Sequence, residues 1–375
     1  MAERRRRGWT AAAVFACAAL GLFLAVVLSF ALGARALPPA EVAAALLGIG
    51  DHGTVVIVGD LRFDRTVAGL ACGIALGLAG VLMQALTRNP LADPGLLGVN
   101  VGAALGVVIG IAVLGSAGSG QVLWFALLGA GAASAAIVLT AGSSLVSGSP
   151  VRLVLAGVAF GGVLSGVTQL LVLTSERILD SFRFWQVGSL AMRSAAETGP
   201  LLLLIGIAAA VALLLGPHLN VLALGEDTAS SLGVSPVLVR TVGFGLVTVL
   251  CAAAVAIAGP IAFIGLVSAH LARLLAGPDL RVVLPLALLL GPCLVLASDV
   301  LGRLIGGGAE IPVGIVAAFL GAPALMALLL RGAGGGRRPR KRRSSGVRGD
   351  PSARLSPGPW RASGRQTDGA GQVRA

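Results

Sequence analysis

Leu61-Arg62-Phe63-Asp64-Arg65 opens, and Gln84-Ala85-Leu86-Thr87-Arg88-Asn89-Pro90-Leu91-Ala92-Asp93-Pro94-Gly95-Leu96-Leu97-Gly98 closes, the stretch that decides the fold of this 375-residue chain. Between them lies an apolar run without a single charge. Roughly 20 such residues cross about 30 Å of hydrocarbon as a helix. The paired prolines then turn the chain into a second apolar segment, and arginines mark both rims. The stretch reads as a transmembrane hairpin with a charged edge.

The rest of the chain is made of the same material. It is 56% hydrophobic and 12% charged, with a mean hydropathy of +0.95, whereas soluble domains carry roughly a quarter charged residues. Ten spans are expected, near 11–33, 66–87, 95–115, 121–142, 150–173, 198–216, 236–258, 261–276, 281–299 and 312–330. The fold class is therefore all-α and polytopic: a basic N-terminal segment 1–10, a membrane domain 11–331 and a tail 332–375. Cytoplasmic loops hold the excess of Lys and Arg. With the N-terminus inside, Arg4 to Arg7, Arg88, Arg152, Arg240, Arg273, Arg281 and Arg331 with the basic tail face the cytoplasm, and Arg35, Arg62, Arg65, Arg177, Arg183, Arg193 and Arg303 face outward. Both termini are then cytoplasmic.

Helix starts support the same parity. Asp93-Pro94, Ser149-Pro150, Ser235-Pro236 and Asp279 supply N-cap side chains, three of them followed by proline at the first helical position, where its missing amide has no helical partner to lose. Gly69, Gly73 and Gly77, then Gly98, Gly102, Gly106 and Gly110, recur every four residues. That spacing puts them on one helix face and lets neighbouring backbones approach closely.

Several chemistries are disfavoured. Cys17, Cys72, Cys251 and Cys293 stand singly, and His52, His218 and His270 are scattered without zinc-site spacing, so no metal or cofactor is expected. The carboxylates fall at span ends or in loops, unlike the mid-membrane acids of ion-coupled carriers. The only lysine is Lys341, which leaves no phosphate-binding loop of the Gly-x-x-x-x-Gly-Lys type. The chain is thus not expected to be an enzyme, and ATP-driven transport would need the nucleotide site on a separate subunit. A docking place for that subunit is offered by the inner segment 217–236, which Gly225 and Gly233 divide into two short helices. An amphipathic surface helix without a partner is the other reading of that elbow.

These residues together resemble the permease subunits of FecCD type, which belong to ATP-binding-cassette importers of iron-siderophores, haem and cobalamin. The resemblance covers residues 11–331. It rests on the Leu-Arg-x-x-Arg start at Leu61, on Gln84 with Arg88-Asn89-Pro90-Leu91-Ala92-Asp93-Pro94, on Trp185-x-x-Gly188-Ser189-Leu190 and on Leu224-Gly225-Glu226 with Ala229, Leu232 and Gly233. It rests further on Gly259-Pro260-Ile261-Ala262-Phe263, on His270 with Arg273, on Asp299 with Arg303 and on Glu310-Ile311-Pro312-Val313-Gly314. It implies a ten-span bundle of the type II importer kind, in a bacterial cytoplasmic membrane. The implied partners are a second permease (identical or a paralogue), two ATPase subunits and an extracytoplasmic substrate-binding protein.

The resemblance also assigns residues. Arg62, Arg65 and Arg303 would form outward pockets for acidic side chains of the binding protein, although membrane-edge anchoring by snorkelling would suit them too. Leu224, Gly225, Glu226, Asp227, Ala229, Leu232 and Gly233 would form the helix that couples to the ATPase. Gly161, Ser165, Thr168 and Gln169, a polar stripe at helical spacing, would line part of the path, with interhelical hydrogen bonding as the alternative. Ser147, Ser149 and Pro150 would lie near an inner gate. Asp64 stands where the family usually has proline, Ala269 replaces a proline and Leu280 a histidine.

The tail from 332 onward holds eleven Lys or Arg against Asp350 and Asp368, so nine of the net +12 charges lie there. Its Gly, Pro and Ser cannot build a core. A disordered segment facing anionic lipid is expected, not a nucleic-acid site. Three function classes remain distinguishable: an ATP-driven importer permease for an iron-siderophore, cobalamin or haem; a secondary carrier or channel; and a membrane scaffold. The motifs favour the first, with the iron-siderophore as substrate.

Overall fold

A computed structural model of the chain describes residues 2–33, 37–115, 120–141, 150–191, 194–306 and 310–334. The helices in chain order are α1 (Ala2–Ala31), α2 (Pro39–Leu46), α3 (His52–Val56), α4 (Phe63–Thr87), α5 (Val99–Leu114), α6 (Gln121–Ala141), α7 (Pro150–Val172), α8 (Glu176–Gln186), α9 (Ala195–Ala223), α10 (Glu226–Ser231), α11 (Pro236–Ala258), α12 (Ile264–Ala276), α13 (Leu280–Ile305) and α14 (Val313–Gly334). A π-helical segment, Ile57–Arg62, joins α3 to α4, and a 3-10 turn, Pro94–Leu97, precedes α5. The unit up to Leu330 is one bundle.

Each of the ten expected spans falls on a helix. Seven of these are long and apolar enough to cross a bilayer, and Val99–Leu114, Ile264–Ala276 and Val313–Ala327 are shorter apolar helices. The eighth is short because the chain from Gly259 to Phe263 is not helical: Pro260 lacks an amide, and Gly259 and Phe263 take positive φ of 75° and 66°.

α4, the first arm of the opening hairpin, lies at the centre and packs on α13, α11, α12 and α9. Its glycines explain how. A Cβ on Gly73 would lie 2.2 Å from Pro292 Cα, and one on Gly80 would lie 2.1 Å from the Gly265 carbonyl oxygen. These helices touch backbone to backbone, with no room for a methyl group. The α5 ladder does the same against α6, where Gly106 meets the Phe125 carbonyl at 2.1 Å from an ideal Cβ and Gly102 meets Gly129.

Three of the four expected caps form. Asp93 Oδ1 accepts from the Gly95 amide at 2.8 Å, Ser235 Oγ from Leu238 at 3.4 Å and Asp279 Oδ1 from Arg281 at 3.0 Å; Ser149 lies outside the described residues. Asp93 caps the 3-10 turn, whereas α5 itself starts at Gly98 in the left-handed region.

Four boundaries differ from expectation. The basic segment 2–10 is continuous with the first span in α1. The connection after α1, where no span was expected, contains α2, α3 and the π turn. The inner segment does not start with a separate short helix, because α9 continues through Pro217 to Ala223 and only α10 stands alone; a proline inside a packed membrane bundle costs a hydrogen bond without ending the helix. α13 runs on to Ile305, which places Asp299 within the last two turns of a helix instead of at its final residue.

Candidate functional site

Three places in the bundle gather the residues singled out above. Two lie at opposite ends of α4, which at 25 residues spans about 37 Å.

At the first end, Arg62, Arg65 and Arg303 form one cluster. Arg62 Nη1 donates to the Phe30 carbonyl. Arg303 Nη1 donates to the carbonyls of Ser29 at 3.0 Å and Leu32 at 2.7 Å, and its Nη2 to Ser29 Oγ at 3.2 Å. These carbonyls terminate α1, where helical acceptors run out and a cation also meets the negative end of the helix dipole. Asp299, 1% exposed, sits between the other two guanidinium groups. Arg65 embraces it through Nε at 3.0 Å and Nη2 at 2.8 Å, and Arg303 Nη2 approaches at 3.0 Å. Arg65 Nη1 turns outward to Glu310 at 2.5 Å. Arg62 and Arg303 are buried, so the solvent side of the cluster is the Arg65–Glu310 pair. Asp64 makes no ion pair with the cluster among the described residues.

Sequence reading missed Asp299 and Glu310 as the partners of these arginines. The i, i+4 spacing of Asp299 and Arg303 was the available signal, because such pairs face each other on a helix.

The second end holds the elbow. Gly225 (φ 118°) and Gly233 (φ 79°) bracket α10 in conformations that favour glycine. Leu224 and Leu232 are 66% and 61% exposed, and Asp227 is exposed beside them. Ala229 is fully buried; it anchors α10 to the bundle and offers no outer contact surface. Glu226 accepts from Arg240 Nη2 on α11 at 2.6 Å. Arg88, in the left-handed region at the end of α4, donates to the Leu222 carbonyl at 2.8 Å. Asn220 clasps the start of α13: its Nδ2 donates to Asp279 Oδ1 at 2.6 Å, and its Oδ1 accepts from the Leu280 amide at 3.0 Å. The elbow is thus tied to α4, α11 and α13 by three separate side chains.

The remaining motif residues build the turn behind it. Gln84, buried, accepts from Arg273 Nη1 at 3.0 Å. Asn89 Oδ1 accepts from the Leu91 amide at 2.9 Å, an Asx turn across Pro90. Asp93 and Pro94 line a small internal cavity with Leu76, Asn100 and Cys251, so this turn dips inward between the helices.

The third place is a cavity of about 320 Å³ between α5, α7 and α8. Ser165, Thr168 and Gln169 line it as one face of α7, joined by Asn100 from α5, by Trp185 and Gln186 from α8, and by Pro260. Gly161 is not part of the lining; it faces Val101, whose Cγ2 would be 4.0 Å from an added Cβ. Phe182 and Trp185 stack with ring centroids 5.9 Å apart, which stiffens that wall. No formally charged residue lines the cavity among the described residues. Asn100, Trp185 and Gln186 are additions that the α7 stripe did not reveal, since they come from other helices. Ser147 and Ser149, expected near a gate, lie outside the described residues, and Pro150 opens α7.

A bundle with ten apolar helices among the described residues, tightly glycine-packed, with an uncharged cavity of mixed polar and apolar lining and a distinct elbow at one end, defines a multi-pass membrane permease. The chain belongs to the FecCD transport family, whose family model matches residues 21–331. It is 47% identical over 315 residues to the ferric enterobactin transport system permease protein FepD of Escherichia coli (strain K12), covering 84% of this chain and 94% of that protein. It is 39% identical to the probable siderophore transport system permease protein YfiZ of Bacillus subtilis (strain 168), over 76% of this chain and 85% of that one. It is 38% identical to the hemin transport system permease protein HmuU of Yersinia pestis, over 72% and 82%. Among solved structures it resembles a metal-chelate type ABC transporter in an inward-facing conformation, with TM-score 0.74 and 30% identity, over 85% of this chain and 98% of that one.

Proposed function

We propose that this chain is the membrane-spanning permease subunit of an ATP-binding-cassette importer and passes an iron-siderophore-type chelate across the cytoplasmic membrane. The observation that carries this reading is the similarity to the ferric enterobactin permease along almost its whole length. ATP hydrolysis takes place on two partner subunits, a second permease (a copy or a paralogue) completes the path, and an extracytoplasmic binding protein delivers the chelate. The termini and the elbow face the cytoplasm, and the Arg62, Arg65 and Arg303 end faces outward.

In this arrangement the exposed Leu224, Asp227 and Leu232 meet the ATPase, while Gly225 and Gly233 let α10 pivot. The cavity of Ser165, Thr168, Gln169, Asn100 and Gln186 is part of the path. Uncharged walls that mix hydrogen-bonding side chains with Val101, Ala104, Phe182 and Pro260 suit passage, because they meet a chelate without holding it by a fixed charge. The pocket arginines receive acidic side chains of the binding protein, with Arg65, 11% exposed, as the member nearest solvent.

The test is uptake of radioiron-labelled enterobactin by cells with and without this chain; unchanged accumulation rejects the proposal. The 38% identity to a hemin permease makes haem the second substrate class, and uptake of labelled haem in place of the iron chelate would select it.

A further inference from the structure

The outer cluster contains two carboxylates held in very different ways. Asp299 is 1% exposed and shared by Arg65 and Arg303. Glu310 is 39% exposed and pairs with Arg65 Nη1 alone among the described residues. A guanidinium offers five N–H donors in a fixed fork, and in Arg65 the Nε and Nη2 edge is spent on Asp299. The two N–H groups of Nη1 and the second of Nη2 remain for an acid arriving from solvent, and Glu310 sits on Nη1.

Arg62 and Arg303 are not comparable acceptors. Their guanidinium groups bond the terminal carbonyls of α1, and Arg303 also faces Asp299. Drawing either toward a partner would strip hydrogen-bond donors from the carbonyls of a helix end. Releasing Glu310 frees a carboxylate that is 39% exposed, and water screens the solvent side of its pair with the 11% exposed Arg65 side chain.

We propose that Glu310 is a built-in occupant of the docking seat on Arg65: a carboxylate of the approaching extracytoplasmic protein displaces it, so docking is an exchange of one acid for another. This rests on the docking reading above and adds to it the identity of the seat and its resident competitor. The exchange conserves the number of charge-assisted hydrogen bonds on Arg65. It therefore adds specificity for an acid at the cost of affinity, and it keeps the guanidinium oriented while no partner is bound.

The experiment compares wild type, E310Q and R65K for initial uptake of radioiron-labelled enterobactin at limiting chelate, where the loaded binding protein is scarce. With the competitor neutralised, E310Q should take up the chelate about two- to fourfold faster, the range an exposed pair can contribute. R65K keeps the charge beside Asp299 but loses the fork, and should fall well below wild type. Uptake in E310Q at or below the wild-type rate overturns the exchange. R65K transporting like wild type sinks the docking reading itself, whereas a defective R65K with an unaccelerated E310Q sinks only the exchange.

A second measurement needs no partner. Phenylglyoxal modification of Arg65 in the purified permease in nanodiscs, mapped by mass spectrometry, should be faster in E310Q than in wild type and slowed by added pentaglutamate. Equal modification in the two proteins, or none in either, counts against the seat.

Discussion

Asp299 is the residue on which the outer end depends. It is buried with two guanidinium groups around it, so removing its carboxylate leaves two cations facing each other inside the protein. Breaking a buried pair from one side costs about 3–5 kcal/mol. D299A is expected to lower the thermal stability of the detergent-solubilised permease sharply, with D299N in between; an unchanged melting profile would show that the cluster is not structural. Glu226 is the opposite case. Its pair with Arg240 is 41% exposed on the acid side, which limits its worth to roughly 0–1 kcal/mol. E226A should therefore insert and fold normally, while uptake drops if the elbow transmits force. Normal uptake in E226A combined with G225A would remove the elbow from the coupling path.

Among elements, the α4 contacts with α12 and α13 and the α9 clasp on α13 divide the labour between packing and transmission. An alanine methyl at Gly73 has nowhere to go but into the backbone of Gly291 and Pro292, and overpacking of this kind costs about 1–3 kcal/mol or rearranges the helices. G73A should reduce the yield of monodisperse permease on size-exclusion chromatography, whereas G162A, where an added Cβ meets nothing within 4 Å, should not. The second contact is polar and local. Asn220 on α9 holds both the cap residue and the first amide of α13, and the far end of α13 carries Asp299 and Arg303. N220A is expected to leave insertion intact and to lower chelate uptake severalfold, because the elbow loses one of its three ties; wild-type uptake would mean that Arg88 and Arg240 suffice. The helix starts at Ser235 and Asp279 and the glycine ladders were legible in the sequence, because caps and four-residue spacing are local. The extension of α9 through Pro217 was not, since it depends on the packing of a neighbour against the weakened turn.

For the whole molecule, the decisive quantity is which compartment each end of the bundle meets. Cysteines introduced at Glu310 and Asp227, probed with impermeant thiol reagents from either side, should react from opposite sides; labelling of both from one side would break the importer model. Between the ends, replacing Gln169 and Asn100 by leucine removes polar lining from the cavity. The double variant should lower uptake without changing the amount of protein in the membrane.

Hydropathy, arginine placement and glycine spacing by themselves determined the membrane class, the ten spans and the position of the elbow, because each follows from the solvent around a short segment. The family motifs added the candidate arginines and the α7 stripe. What only the tertiary structure decided is which groups those residues meet. Arg62 and Arg303 are committed to the end of α1, Arg65 is shared between Asp299 and Glu310, and Ala229 faces inward. Asn100, Trp185 and Gln186 complete a cavity that one helix only begins. Charge and polarity can be read along a chain, but a partner that satisfies them can come from an element more than two hundred residues away, as Asp299 does for Arg65, and only packing brings such groups within hydrogen-bonding distance.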